Sequence, residues 1–248
     1  MTQIWAHRGA RLVEPENTLA AMDAAVTGGA DGVELDVHLS ADGRLVVRHD
    51  PWLALPDGAC VPIGSLTRSE IELADVGDAS SGVHRAPFLR EVLDLLAATG
   101  VVVNIEMKVG VRSPYRGIAS AVVDAVRQAR MQDRVVLSSF DHVGLLEVRD
   151  HDAALELAPL YSEGLARAWD YTLMLGMRAA HPQIDTIRRP GTLESFRAAQ
   201  VSVRPWTVND EADLRMLLLA EVDAVIVDDP AAAVLARSAL ARERAFSA

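Results

Sequence analysis

The stretch Gly29-Ala30-Asp31-Gly32-Val33-Glu34-Leu35-Asp36-Val37-His38 decides the fold of this chain. Val33, Leu35 and Val37 alternate with Glu34, Asp36 and His38, and a period of two is the spacing of a β-strand. Working outward, similar short runs rich in β-branched residues recur along the whole sequence. The expected strands are Gln3 to Ala6, Gly32 to His38, Val101 to Met107, Arg134 to Ser138, Leu155 to Leu160, Ala179 to Gln183, Val201 to Trp206 and Ala224 to Val227. Apolar residues at helical spacing fill the gaps near Asn17 to Thr27, Leu89 to Ala98, Gly117 to Met131, Asp141 to Asp150, Gly164 to Leu175, Thr192 to Ala199, Asp210 to Leu219 and Pro230 to Ala241. Strands alternating with helices build a parallel α/β sheet, and eight of each predict a closed (β/α)8 TIM barrel. Asn17 and Asp141 stand where they can cap the helices that follow them, and Asp229 before Pro230 suits the start of the last helix.

One segment exceeds a minimal barrel. After the second strand, Gly43 to Asp50 is a further alternating apolar run, and Pro51 to Pro87 is rich in Gly, Pro and turn residues. An insertion of that length on a barrel sits over the C-terminal face, where sites are built. The whole sequence, insertion included, is expected to form one domain, residues 1–248, with an Ala-rich helical tail from Ala231 to Ala248. At 248 residues, half of them apolar, the chain buries a large core without staples, and its single cysteine, Cys60, makes no internal disulfide.

A formal charge of −11, with no cluster of Lys and Arg among aromatics, argues against nucleic acid as a partner. A positive pocket lined by a metal ion, Arg and Lys still accommodates a small phosphate-bearing molecule, because it reverses the field locally. The sequence has no apolar run of the roughly 20 residues that span a bilayer, and no basic segment leading into an apolar one near Met1. The expectation is a cytoplasmic protein without a membrane span.

Chemistry concentrates at the strand ends. Glu34 and Asp36, two apart on a strand, point to one face, and the flanking apolar residues make that face the barrel interior near its mouth. Two buried carboxylates need a cation or a raised pKa, and a hard divalent ion is the simplest compensation. The other reading is a solvent-facing acidic pair on an edge strand. Glu106 and Lys108 repeat the geometry after Val101-Val102-Val103, so Glu106 is a third candidate ligand and Lys108 a phosphate-binding point charge. Their bland reading is a buried structural ion pair. Three carboxylates without Cys or His ligands favour Mg or Ca over Zn.

His7 and Arg8 follow the first strand, and His49-Asp50 closes the run after the second. Phosphodiester cleavage needs one group to accept a proton and another to protonate a poor alkoxide leaving group, work to which two imidazoles are matched near neutral pH. Arg8 suits bidentate binding of the phosphodiester. Trp206 after the seventh strand is a candidate for the carbon side of a glycerol, or else a core residue between barrel and helices. Phe140 and His181, with Ser139, are candidates for the pocket wall. Absent are a phosphate loop ending in Lys-Ser/Thr, a Gly-x-Gly-x-x-Gly turn and a Gly-x-Ser-x-Gly elbow, which removes support for P-loop, Rossmann and serine-hydrolase chemistry.

His7-Arg8-Gly9, Pro15-Glu16-Asn17-Thr18, Gly29-Ala30-Asp31 leading into Glu34-Leu35-Asp36-Val37, His49-Asp50, Glu106-Met107-Lys108, Trp206-Thr207-Val208-Asn209 and Asp228-Asp229-Pro230 together resemble the glycerophosphodiester phosphodiesterase family. The motifs run in the family's order from Ile4 to Pro230. Two departures are Ala86-Pro87-Phe88-Leu89, where Pro-Thr-Leu is usual, and Val227-Asp228, where Thr-Asp is common; neither touches a proposed catalytic group.

The resemblance implies a barrel with a small insertion that hydrolyses glycerophosphodiesters, such as glycerophosphocholine and glycerophosphoethanolamine, to sn-glycerol 3-phosphate and an alcohol with one divalent cation, Mg or Ca. It makes His7 and His49 acid/base residues, Glu34, Asp36 and Glu106 metal ligands, Arg8 and Lys108 phosphate-binding groups, and Trp206 part of the glycerol side. Two rivals share the barrel: a lysophospholipase D-type or glycerophosphoinositol phosphodiesterase, which an exposed apolar run on the insertion would favour, and a non-catalytic phosphodiester-binding protein, which has no use for two histidines beside three carboxylates.

Overall fold

A computed structural model describes residues 1–77 and 82–247. Residues 78–81 of the expected insertion, and residue 248 of the expected tail, lie outside the described residues.

The strands are β1 (Gln3–Ala6), β2 (Gly32–Leu39), β3 (Leu45–Val47), β4 (Trp52–Ala54), β5 (Cys60–Pro62), β6 (Val102–Met107), β7 (Val135–Ser139), β8 (Glu156–Tyr161), β9 (Ala179–Pro182), β10 (Ser202–Val203) and β11 (Ala224–Val227). The α-helices are α1 (Leu19–Thr27), α2 (Arg68–Ile71), α3 (Leu89–Ala97), α4 (Ile118–Ala129), α5 (His142–His151), α6 (Ala168–Met174), α7 (Ile184–Ile187), α8 (Thr192–Ala198), α9 (Glu211–Ala220) and α10 (Pro230–Ser247).

Parallel pairing runs in the order β10-β9-β8-β7-β6-β2-β1-β11. The two ends meet just beyond β10, where the Ile226 amide donates to the Pro205 carbonyl and the Val208 amide to that of Ile226, each at 2.9 Å. The result is the expected (β/α)8 barrel. The seventh barrel strand is shorter than its expected span, Val201 to Trp206. Pro205 has no N–H to donate, and the pairing with β9 continues beyond β10 only as an isolated bridge, the Trp206 amide donating to the Pro182 carbonyl at 3.1 Å.

Alternation sets what each strand offers. On β2, Val33, Leu35 and Val37 pack outward with Leu89, Val92, Leu93 and Leu96, the i, i+3, i+4, i+7 stripe of α3. Trp5 goes inward and is 1 % exposed. It fills the barrel axis among Val136, Ala158, Ala179, Ala224 and Ile226, with the Arg204 guanidinium 4.9 Å from its ring centroid. Gly32 is the only residue that tolerates this indole, since a Cβ there would come within 2.6 Å of it. Truncating Leu93 in the outer layer is expected to cost about 2–5 kcal/mol of stability.

The insertion has its own small core. β3 pairs antiparallel with β2, β4 and β5 form a hairpin, and Val46, Leu53, Ile63, Leu66, Ile71 and Phe88 pack beneath them. Two cap assignments need correction. Thr18, not Asn17, caps α1, its side chain accepting from the Ala21 amide at 3.2 Å, while Asn17 adopts φ +61° and turns its amide to the barrel. Asp141 occupies the N-cap position of α5 but its side chain makes no capping bond there, whereas Asp229 does accept from Ala232 in the last helix.

Candidate active site

The C-terminal ends of the strands enclose a cavity of about 210 Å³ lined by His7, Arg8, Glu34, His49, Asn104, Glu106, Lys108, Phe140, Leu160, Trp206 and Ile226. Eight of the ten residues expected at the site line it, and the side chain of a ninth touches two that do. Asp36 lies just behind the lining, 1 % exposed, in contact with Arg8 and Lys108. His181 is the exception. Its ring is wholly buried one layer lower, edge-on to Trp5 at 5.9 Å, and only its backbone serves the pocket, accepting the Trp206 indole N–H at 2.8 Å. Burial, and then Arg204, hold its pKa well below the usual imidazole value.

Glu34, Asp36 and Glu106 converge as the spacing predicts. One carboxylate oxygen from each lies within 4.8 Å of the others, and all three residues are buried. β2 and β6 pair in a register that sets Asp36 beside Glu106, which is how residues 70 apart form one cluster. Lys108 Nζ bridges them, 2.9 Å from Asp36 and 2.6 Å from Glu106. Asn17 donates to Asp36 at 2.8 Å, and the Arg8 amide donates to Glu34 at 2.9 Å. Arg8 enters through a left-handed turn at φ +57°, followed by Gly9, where a Cβ would collide with the Ala21 backbone at 2.7 Å.

These surroundings separate the three acids. Burial and then the charges of Asp36 and Glu106 push Glu34 well above the usual carboxylate range. Burial, reinforced by Asp36 and opposed by Lys108, raises Glu106 to about 7. Burial also acts on Asp36, but Lys108 and Arg8 outweigh it and bring the group down to about 2. Two cations facing three acids leave room for one more positive charge, and three oxygen donors match a hard divalent ion. The residues present therefore fit a cation, with Glu34 and Glu106 as the groups that would give up protons to it.

Each cavity imidazole has a carboxylate on Nδ1. His7 Nδ1 lies 2.6 Å from Asp228, which in turn accepts from Asn209 at 2.6 Å. His49 Nδ1 lies 2.9 Å from Asp50. Both arrangements leave Nε2 free for proton transfer. Burial, then Lys108, lowers the pKa of His49. Arg8 forks onto Glu16 at 3.0 and 3.1 Å, so its guanidinium arrives already held. Opposite these groups, Phe140 and Trp206 meet edge to face, with ring centroids 5.6 Å apart.

Several residues at the site were not assigned by sequence reasoning. Asp228 and Asn209 stood in recognised motifs without a role, and their signal was a pair of polar residues at the ends of the last two barrel strands. Asn17 was read as a cap. Asn104, Leu160 and Ile226 carried only inward parity, which is shared by every second residue of a barrel strand.

A family model described as Glycerophosphoryl diester phosphodiesterase family matches residues 7–232. The chain is 36 % identical over 233 residues to a glycerophosphodiester phosphodiesterase of Caldanaerobacter subterraneus subsp. tengcongensis, covering 92 % of this chain and 95 % of that one. It is 33 % identical over 242 residues to a glycerophosphodiester phosphodiesterase of Bacillus altitudinis, covering 96 % and 98 %. Among solved structures it superposes with a TM-score of 0.85 and 26 % identity on an Oleispira antarctica phosphodiesterase in complex with the product sn-glycerol-3-phosphate, covering 95 % of this chain and 96 % of that one.

Proposed function

The chain belongs to the glycerophosphoryl diester phosphodiesterase family, and from that premise we propose that it hydrolyses water-soluble glycerophosphodiesters to sn-glycerol 3-phosphate and an alcohol, with Mg or Ca held by Glu34, Asp36 and Glu106. The observation that carries this reading is the convergence of three buried carboxylates with two carboxylate-backed imidazoles on one cavity. A bound cation supplies charge neutralisation and polarisation of the phosphoryl group. Arg8, pre-oriented by Glu16, and Lys108 bind the phosphate oxygens and offset charge that grows as the transition state forms. His7 and His49 move protons at their Nε2 atoms, one from the nucleophile and one to the leaving alkoxide. Trp206 and Phe140 form the apolar wall for the glycerol carbons. A cytoplasmic setting belongs to the same proposal, and the single Cys60 leaves the chain no internal disulfide that would call for an oxidising compartment. Among the described residues no helix is long and apolar enough to cross a membrane.

The test is release of glycerol 3-phosphate from glycerophosphocholine by purified protein, abolished by EDTA, restored by Mg or Ca and absent in His7→Ala. No turnover of any glycerophosphodiester, despite cation binding, would leave a binding role as the better reading.

A second reading, action on lysophospholipids, is favoured by the exposed apolar side chains Leu12, Val13, Val109 and Val111 on loops that follow β1 and β6, and by Val143 in the first turn of α5 after β7. These loops leave the barrel at the cavity end. Choline release from lysophosphatidylcholine exceeding that from glycerophosphocholine would establish this preference.

A further inference from the structure

His38 is a buried residue at the site's edge for which the reaction chemistry gives no use. It follows Asp36 on β2 and is 1 % exposed. Its Nε2 lies 3.0 Å from the backbone carbonyl oxygen of His49, and its Nδ1 lies 3.0 Å from the Tyr115 hydroxyl. A carbonyl oxygen only accepts, so Nε2 carries the hydrogen and Nδ1 is the bare nitrogen. The Tyr115 hydroxyl must then donate to Nδ1. The chain of bonds runs one way, from Tyr115 through His38 to His49.

Tyr115 is itself fixed. Its ring stands edge-on to His38 at 5.8 Å between centroids. It also presses on Gly64 of the insertion and Gly110 of its own loop, where added Cβ atoms would lie 2.9 and 3.3 Å from the ring. The support for His49 therefore spans three segments: β2, the loop between β6 and α4, and the insertion. His49 needs such support more than His7 does. The carboxylate behind His7, Asp228, has a side chain 20 % exposed and is clamped by Asn209, whereas Asp50 behind His49 is 62 % exposed. A carboxylate in open water holds an imidazole weakly.

We propose that His38 and Tyr115 are positioning residues for the phosphodiesterase reaction, holding His49 at the cavity through its main-chain carbonyl. This rests on the acid/base reading of His49. A displacement of about 1 Å at a reacting group costs on the order of 100-fold in rate, so the loss is expected in kcat rather than in KM.

The experiment is a set of variants assayed for glycerol 3-phosphate release, with melting temperature as the check on folding. His38→Leu is expected to lower kcat by about 10–100-fold, with KM changed less than about threefold. His38→Gln, which keeps a donor near the Nε2 position, is expected to recover most of that loss. Tyr115→Phe, which keeps the ring and removes one hydrogen bond, is expected to lower kcat by about 3–10-fold. In a His49→Ala background, neither His38→Leu nor Tyr115→Phe should lower the residual rate further.

A wild-type rate in Tyr115→Phe and His38→Leu, or a loss that multiplies undiminished onto that of His49→Ala, overturns the proposal. A loss confined to KM, or one that tracks the melting temperature with no recovery in His38→Gln, overturns it as well. Full activity in His49→Ala overturns both this inference and the role given to His49. An inactive wild type removes the function reading itself, so the failures are distinguishable.

Discussion

Two walls of one cavity are built from different halves of the barrel. β1, β2 and β6, with the short run after β2, supply His7, Arg8, Glu34, Asp36, His49, Glu106 and Lys108. β7, β8, β10 and β11 supply Phe140, Leu160, Trp206 and Ile226. On the first wall nearly every polar atom is tied to another, through Lys108 between Asp36 and Glu106, Asn17 on Asp36, Glu16 on Arg8 and Asp228 on His7. On the second, the fixed partners are edge-to-face rings and a single indole hydrogen bond. The difference teaches that charge placed for chemistry demands a network, because each buried ion left unpaired costs several kcal/mol, whereas an apolar wall needs only shape.

The contrast breaks if the walls prove interchangeable. The largest effect is expected on the charged wall. Glu34→Gln, or EDTA treatment of the wild type, should lower kcat by about 1000-fold or more, since cation stabilisation is worth several kcal/mol; glycerol 3-phosphate release measures it. Next, His7→Ala should lower kcat by about 100–10,000-fold, with KM little changed. Trp206→Ala is expected to do the reverse, raising KM about tenfold through loss of roughly 1–2 kcal/mol of apolar contact while kcat holds within a small factor. Equal kcat losses in His7→Ala and Trp206→Ala would erase the division of labour.

The smallest effect concerns pH. Glu106 is raised to about 7 in the folded, ion-free chain. A carboxyl group that holds its proton more tightly when folded makes stability fall as pH rises from its ordinary value of about 4.5 toward about 7. A cation needs that group ionised and offsets the loss. The rise in melting temperature produced by Mg or Ca should therefore be larger at pH 8 than at pH 5, and an equal rise at both would show that Glu106 does not bind the ion.

Much of this was legible in the residues because alternation is a strict rule. Glu34, Asp36, Glu106 and Lys108 share a face whatever surrounds them, and the strands found lie close to those expected. Alternation gives direction but not height along the barrel axis. His181 and Trp206 both point inward, yet strand tilt and stagger put His181 beside Trp5 and only Trp206 at the cavity. Left-handed turns are also silent in composition. Asn17 carries every mark of a helix cap, and only its φ of +61° sends its amide to Asp36 while Thr18 takes the cap. The support of His49 joins Tyr115 to His38 across 77 positions and His38 to a main-chain oxygen, which no side-chain pattern announces.

Trp5 closes the barrel from within, walled by Ala158, Ala179, Ala224 and the glycine-sized gap at Gly32. The cavity above it therefore has a floor and opens away from the barrel axis, at the C-terminal ends of the strands. Both fragments of a cleaved diester must depart by the route along which the next molecule arrives, and the slower to depart blocks that arrival. Whichever fragment lingers is thus expected to act as a competitive inhibitor, so that turnover slows as its own output accumulates.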